Sequence, residues 1–98
     1  MEVTEVKNIL NNQNIDEGYL STAIPLFIDY ANNYCNQSYE ANELPGGVKV
    51  FVAKACEYNM QKVGLKSFRM GEVSYSYETD FPKTLKDYLK PYRRVGFN

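Results

Sequence analysis

Few residues in this chain are equipped for covalent or proton chemistry. None of the 98 is histidine, which removes the commonest general base and the commonest transition-metal ligand. Cys35 and Cys56 lack C-x-x-C spacing and make no zinc pattern. Asp16 and Glu17 are neighbours, so they do not share a helix face, and a helix-capping role suffices for them. Glu72 and Glu78 would act as a carboxylate pair only on a sharply bent strand. No GxGxxG or P-loop pattern occurs, and the LPGG at 44–47 reads as a helix entry. Catalysis is not expected, and no cofactor or metal is implied.

Binding chemistry is better represented. Lys83, Lys86, Lys90, Arg93 and Arg94 surround Asp87, with Tyr88 and Tyr92 interleaved. Cations mixed with aromatic rings hold nucleic acid by phosphate contact and stacking, and they equally suit an acidic protein surface. Nine tyrosines are many for this length. Those at 19, 30, 34, 58 and 88 are expected at amphipathic helix rims. Tyr75 and Tyr77 share a strand face with Val73, either packed on helices or offered to a partner.

Charge is unevenly spread. Through Glu43 there are seven acidic residues and one basic, and from Leu44 onward five acidic and ten basic. The halves carry −6 and +5, within a net −1. Opposite signs on one small body suit contact between copies, or else two solvated faces. The length favours one domain, spanning 1–98. Both cysteines read as buried thiols of a reducing cytosol, with no secretory signal before them and no run of about 18 apolar residues for a membrane span.

The elements that must carry these residues are mainly helical: a small bundle of two long helices with short N- and C-terminal helices, plus one β-hairpin near 65–78. TEVKNIL predicts a short helix from about Thr4 to Asn11, with Thr4 as its cap and NNQN as its end. Asp16 caps the next helix. Its apolar positions 20, 23, 24, 27, 28, 31, 34 and 35 recur at three- and four-residue spacing. Pro25 lies inside it and predicts a kink at 21–25 or a late start. Pro45 suits the first position of a third helix that runs to about Val63 and stops at Gly64. Gly46 and Gly47 weaken that entry, or admit close approach of a neighbouring backbone.

LKSFRMGEVSYSYE then alternates with period two, so residues 65–78 read as a hairpin turning at Met70-Gly71. An isolated two-stranded hairpin is marginal in water and needs cover. TLKDYLK closes the helical part, with Leu85, Tyr88 and Leu89 apolar and Pro91 as its stop. Residues 91–98 form a basic tail with no room to fold alone.

Four stretches in order, YANNYCNQSYE, LPGGVKVFVAKACEYNM, VGLKSFRMGEVSYSYE and LKDYLKPYRRVGF, together resemble the head–tail connector (adaptor) proteins of long-tailed bacteriophages and related prophages. The resemblance covers nearly the whole chain. It implies a helical structural part of the virion at the head–tail junction, made in the bacterial cytoplasm. Such parts form a ring, typically of about twelve copies, beneath the portal protein. The ring extends the DNA channel, touches the passing DNA and docks the next head-completion or tail protein.

Family members often meet the portal through the C-terminal segment, which places docking here on Tyr92, Arg93, Arg94 and Val95. A neighbouring copy would cover the ribbon edge, through Arg69, Glu72, Tyr75 and Tyr77. Ribbon and tail are then expected to order mainly on assembly. The alternative is a small nucleic-acid-binding packaging or regulatory accessory protein that acts through the basic C-terminal segment.

Overall fold

A computed structural model describes residues 1–63 and 80–94. Within them the chain forms α1 (Val3–Leu10), α2 (Glu17–Cys35), α3 (Gly46–Val63) and α4 (Lys83–Lys86), and α4 runs straight into a 3-10 helix, Asp87–Tyr92. The two long helices and the short terminal ones match the expected bundle, and no strand occurs among the described residues. The hairpin expected at 65–78 lies outside them, as do Arg69, Glu72, Tyr75, Tyr77 and Val95.

α3 is the central element. α2 and α1 pack against it from the N-terminal side of the chain, and α4 and the 3-10 helix from the C-terminal side. Its burial reflects this: Val48, Phe51, Val52, Ala53, Ala55, Cys56 and Asn59 are all inaccessible, which covers more than one face. A helix gripped on several sides is apolar over most of its circumference. α2 is instead a one-sided helix. Leu20, Ala23, Ile24, Phe27, Ile28, Ala31 and Cys35 are buried, while Thr22, Pro25, Leu26, Asp29 and Asn33 are exposed. The stripe legible in the sequence is the one that packs.

Helix ends differ from expectation in detail. α1 is capped by Glu2 rather than Thr4. The Glu2 carboxylate accepts from the third-residue N–H while the Glu5 side chain accepts from the Glu2 N–H, 3.2 Å away. This reciprocal box satisfies two donors where a lone threonine serves one. Asn11 and Asn36 end α1 and α2 in the left-handed region, with φ of 52° and 58°. Each lets the following residue reach back, Asn12 N–H to the Lys7 carbonyl and Gln37 N–H to the Asn32 carbonyl, both at 2.9 Å. Asparagine tolerates that conformation better than most side chains, which is why NNQN stops a helix.

α2 begins at Glu17, not late. The Asp16 carboxylate accepts from the Gly18 N–H at 3.0 Å, and the helix continues through Pro25 to Cys35. Proline deprives the Ser21 carbonyl of its donor, but both residues lie at the exposed surface, where water can serve that carbonyl. Pro45 sits one place before its expected position, and its carbonyl accepts the first α3 bond from Lys49 N–H at 3.0 Å. Pro91 does not end the last helix. α4 gives way to the tighter 3-10 helix at Asp87, and Pro91 lies within it. Proline's fixed φ, near −65°, falls in the 3-10 range.

The connector between α2 and α3 is tied by one side chain. The Asn32 amide donates to the Tyr39 carbonyl at 3.1 Å and accepts from the Tyr39 N–H at 2.9 Å. An amide paired in this way imitates a strand neighbour and holds the polar run against α2.

Candidate functional site

The residues singled out for docking lie at the end of a segment, 80–94, that is seated on α2 and α3. Its first anchor is Phe81, which the sequence reading passed over. Phe81 is 3% exposed. Its ring meets Phe27, Tyr30, Phe51 and Tyr58 edge-on, with centroids 5.2, 5.0, 5.5 and 5.8 Å away. Edge-to-face geometry places the ring's positive rim on its neighbours' negative faces. Tyr30 stacks on Phe51 and lies near-parallel to Tyr34, so the aromatic cluster reaches from the core to the rim.

Polar contacts lock that anchor. The Tyr30 hydroxyl donates to the Asp80 carboxylate at 3.0 Å, and Lys86 Nζ donates to the same oxygen at 3.1 Å. Burial, helped by that carboxylate, pushes the Tyr30 hydroxyl up to about 12. The Lys86 hydrogen bond, with one from the Phe81 backbone and one from Tyr30, holds Asp80 below its ordinary value. Asp87 is lowered too, chiefly by Lys90 and then by Lys83. Its carboxylate lies 3.1 Å from Lys90 and 3.3 Å from Lys83.

The second anchor is Tyr92. Its hydroxyl accepts from the Gly47 N–H at 3.3 Å, and its carbonyl accepts from the Gln37 side-chain amide at 2.9 Å. The ring lies flush on Gly47, where a Cβ would come within 2.5 Å of Cε2 and 2.8 Å of the hydroxyl oxygen. The expected close approach at this glycine is therefore real, but its agent is a ring from the far end of the chain, not a backbone. A Cβ on Gly46 would meet nothing.

Leu89 is fully buried between these anchors. Its carbonyl accepts from Cys35 Sγ at 3.5 Å, and the Cys35 carbonyl accepts from the Arg94 N–H at 2.7 Å. The Arg93 guanidinium lies 4.7 Å from the Tyr34 ring centroid, in cation–π range. Residues 92–94 thus make contacts with the body of the same chain, and residues 95–98 of the expected tail lie outside the described residues. Both arginine side chains remain exposed, while the Tyr92 ring is half-buried and serves as anchor. Among the three described docking residues, the structure brings Arg93 and Arg94 to the surface and turns Tyr92 inward.

Two other sequence expectations change. Tyr19 is no rim residue: it is fully buried, its hydroxyl donating to the Cys56 carbonyl at 2.9 Å and accepting from the Asn59 amide at 3.1 Å. Tyr88 is 40% exposed, not part of an apolar side. The cysteines are buried and free, as read. Burial raises both thiols, Cys56 to about 12, while the Arg93 charge partly offsets the rise at Cys35. Among the described residues no helix is long and apolar enough to cross a membrane.

The family model described as phage gp6-like head–tail connector protein matches residues 1–93. The chain is also 37% identical, over 102 aligned residues, to the head completion protein gp15 of Bacillus phage SPP1, covering 98% of this chain and 99% of that one.

Proposed function

This chain belongs to the phage gp6-like head–tail connector family, and from that premise we propose that it is a structural part of a phage head–tail junction. It completes the head by joining the portal and presents a surface to the next head-completion or tail protein. The observation that carries this reading is the end-to-end match with a head completion protein. The working form is a ring of about twelve copies that prolongs the DNA channel, with no catalytic duty.

Arg93 and Arg94, exposed beyond the Tyr92 anchor, supply the portal contact, and Val95 extends it. A segment fixed at Phe81, Leu89 and Tyr92 presents two cations at a defined place, which lowers the ordering cost of docking. The segment 65–78 contributes to contact between copies. The test is to add purified protein to portal-bearing, DNA-filled heads that lack it. Stable heads able to accept tails are expected. Heads that neither bind the protein nor retain DNA better in its presence would remove the reading. Arg93→Glu with Arg94→Glu should leave a folded protein that no longer joins heads.

A further inference from the structure

α2 separates two flanks of opposite charge. At about 100° per residue, Tyr30 and Tyr34 lie roughly opposite Ser21, Pro25 and Asn32 around its axis. Tyr30 and Tyr34 carry the C-terminal segment, through Asp80 and Arg93. On the other side Asn32 holds Tyr39, and a shallow hollow lined by Met1, Val3, Ser21, Ile24, Pro25 and Ala41 joins the N-terminus to the connector. The Met1 ammonium donates to the Ala41 carbonyl there.

The connector flank exposes Glu2, Glu40 and Glu43, the last two in one turn closed by Glu43 N–H on the Glu40 carbonyl at 3.0 Å. The C-terminal flank exposes Lys83 and Lys90 beside Asp87 and Arg93 over the Tyr34 ring, with Tyr88 as its protruding apolar group. Opposite charges on opposite sides cannot meet within one chain. They meet when one copy sets its C-terminal flank against the connector flank of the next, a head-to-tail contact that repeats in one direction.

We infer that these two flanks form the joint between copies: Lys83, Lys90 and Tyr88 of one chain against Glu40, Glu43 and the apolar hollow of its neighbour. The inference deepens the connector reading and rests on it for the number of copies, but not for the contact itself. Each surface is open at one end of any row, so growth ends only where the row closes on itself.

The test uses two full-length charge reversals. One is Glu40→Lys with Glu43→Lys. The other is Lys83→Glu, Asp87→Lys and Lys90→Glu, which inverts the flank while keeping its internal ion pairs in reversed order. Sedimentation at low salt is run on each alone and on their equimolar mixture. Each alone should stay monomeric, since like flanks repel. The mixture should associate about tenfold more tightly than either component and lose this at high salt. A mixture no more associated than its components overturns the inference. Wild-type binding to portal-bearing heads is measured separately. Heads that bind the protein while the mixture fails leave the connector reading standing without this joint. Heads that do not bind while the mixture associates give the opposite result.

Discussion

Two interfaces hold this chain together, and they are built differently. Between α2 and α3 the contact is a continuous apolar seam, with one buried polar group, the Tyr19–Asn59–Cys56 cluster, set into it. Between residues 80–94 and those helices the contact is a few spaced pins set into the edge of the same core: Phe81 among four rings, Leu89 under Cys35, and Tyr92 on Gly47. A seam spreads its free energy over many side chains, and losing one leaves the rest in place. Pins concentrate it, and losing one frees a length of chain. The first interface suits a scaffold and the second suits a part whose position is set by a few contacts.

The two interfaces share a residue. Phe51 lies in the seam and also stacks against Tyr30 and meets Phe81. Phe51→Ala should cost about 3–5 kcal/mol in denaturant unfolding and loosen both regions together. Loss of the C-terminal segment alone, with the unfolding midpoint unchanged, would show that the seam does not depend on this ring.

Next in size is Tyr19→Phe, confined to the seam. The Cys56 carbonyl and the Asn59 amide both lose the hydroxyl they share, so a loss of about 1–3 kcal/mol is expected. The outcome to watch is the Cys56 thiol. Raised to about 12 and buried, it should react with a thiol reagent only when the whole chain unfolds. Cys35 should react sooner, because its cover is the segment carrying Leu89 and Arg94. Equal labelling rates for the two cysteines would erase the distinction between seam and pins.

Gly47→Ala sharpens the distinction from the other side. Alanine favours the helix by up to about 1 kcal/mol, but its methyl group occupies the space of the Tyr92 ring. Global stability should therefore change little, while Cys35 labelling rises several-fold and Cys56 labelling does not. Tyr92→Ala should raise Cys35 labelling to the same degree, and the two changes combined should do no more than one. Additive effects would mean that the ring and the glycine act separately.

The smallest effects are those of pH. Asp80 and Asp87 have folded-state values below their ordinary ones, so the stability they lend is present above the ordinary carboxylate range. It is lost as pH falls through the lowered values. Acid should thus loosen residues 80–94 slightly while Phe81, Leu89 and Tyr92 keep them seated, seen as a small rise in Cys35 labelling below the ordinary carboxylate range. Tyr30 works in the reverse sense. Its value is raised to about 12, so the contribution is complete below about 10 and disappears as pH climbs through 12. Asp80→Asn should bring Tyr30 only part of the way back, because burial is the larger cause.

The seam was legible in the sequence and the pins were not, for a physical reason. Leu20, Ala23, Ile24, Phe27 and Ile28 declare their shared face by spacing alone, since a helix converts spacing into direction. Asp16 and the asparagines at 11 and 36 mark ends because their side chains compete with helix bonds locally. Nothing local joins Tyr92 to Gly47, or Phe81 to Phe27. Those pairs exist only once the helices have packed, and a ring's partners leave no period in the chain. Gly47 did give a signal, a glycine where alanine would favour the helix, but its occupant could not be read from it. The pairing of Asp80 with Tyr30 was hidden because charges are counted along the chain, whereas that contact spans 50 positions.

The ring of Tyr92 and the glycine beneath it are 45 positions apart. During synthesis, which runs at roughly 5–20 residues per second, α1, α2 and the start of α3 leave the ribosome seconds ahead of the ring that will rest on them. Cys35 is therefore uncovered in every nascent chain and becomes covered only near the end of translation. The seat is made before its occupant, and the finished surface is assembled in one order.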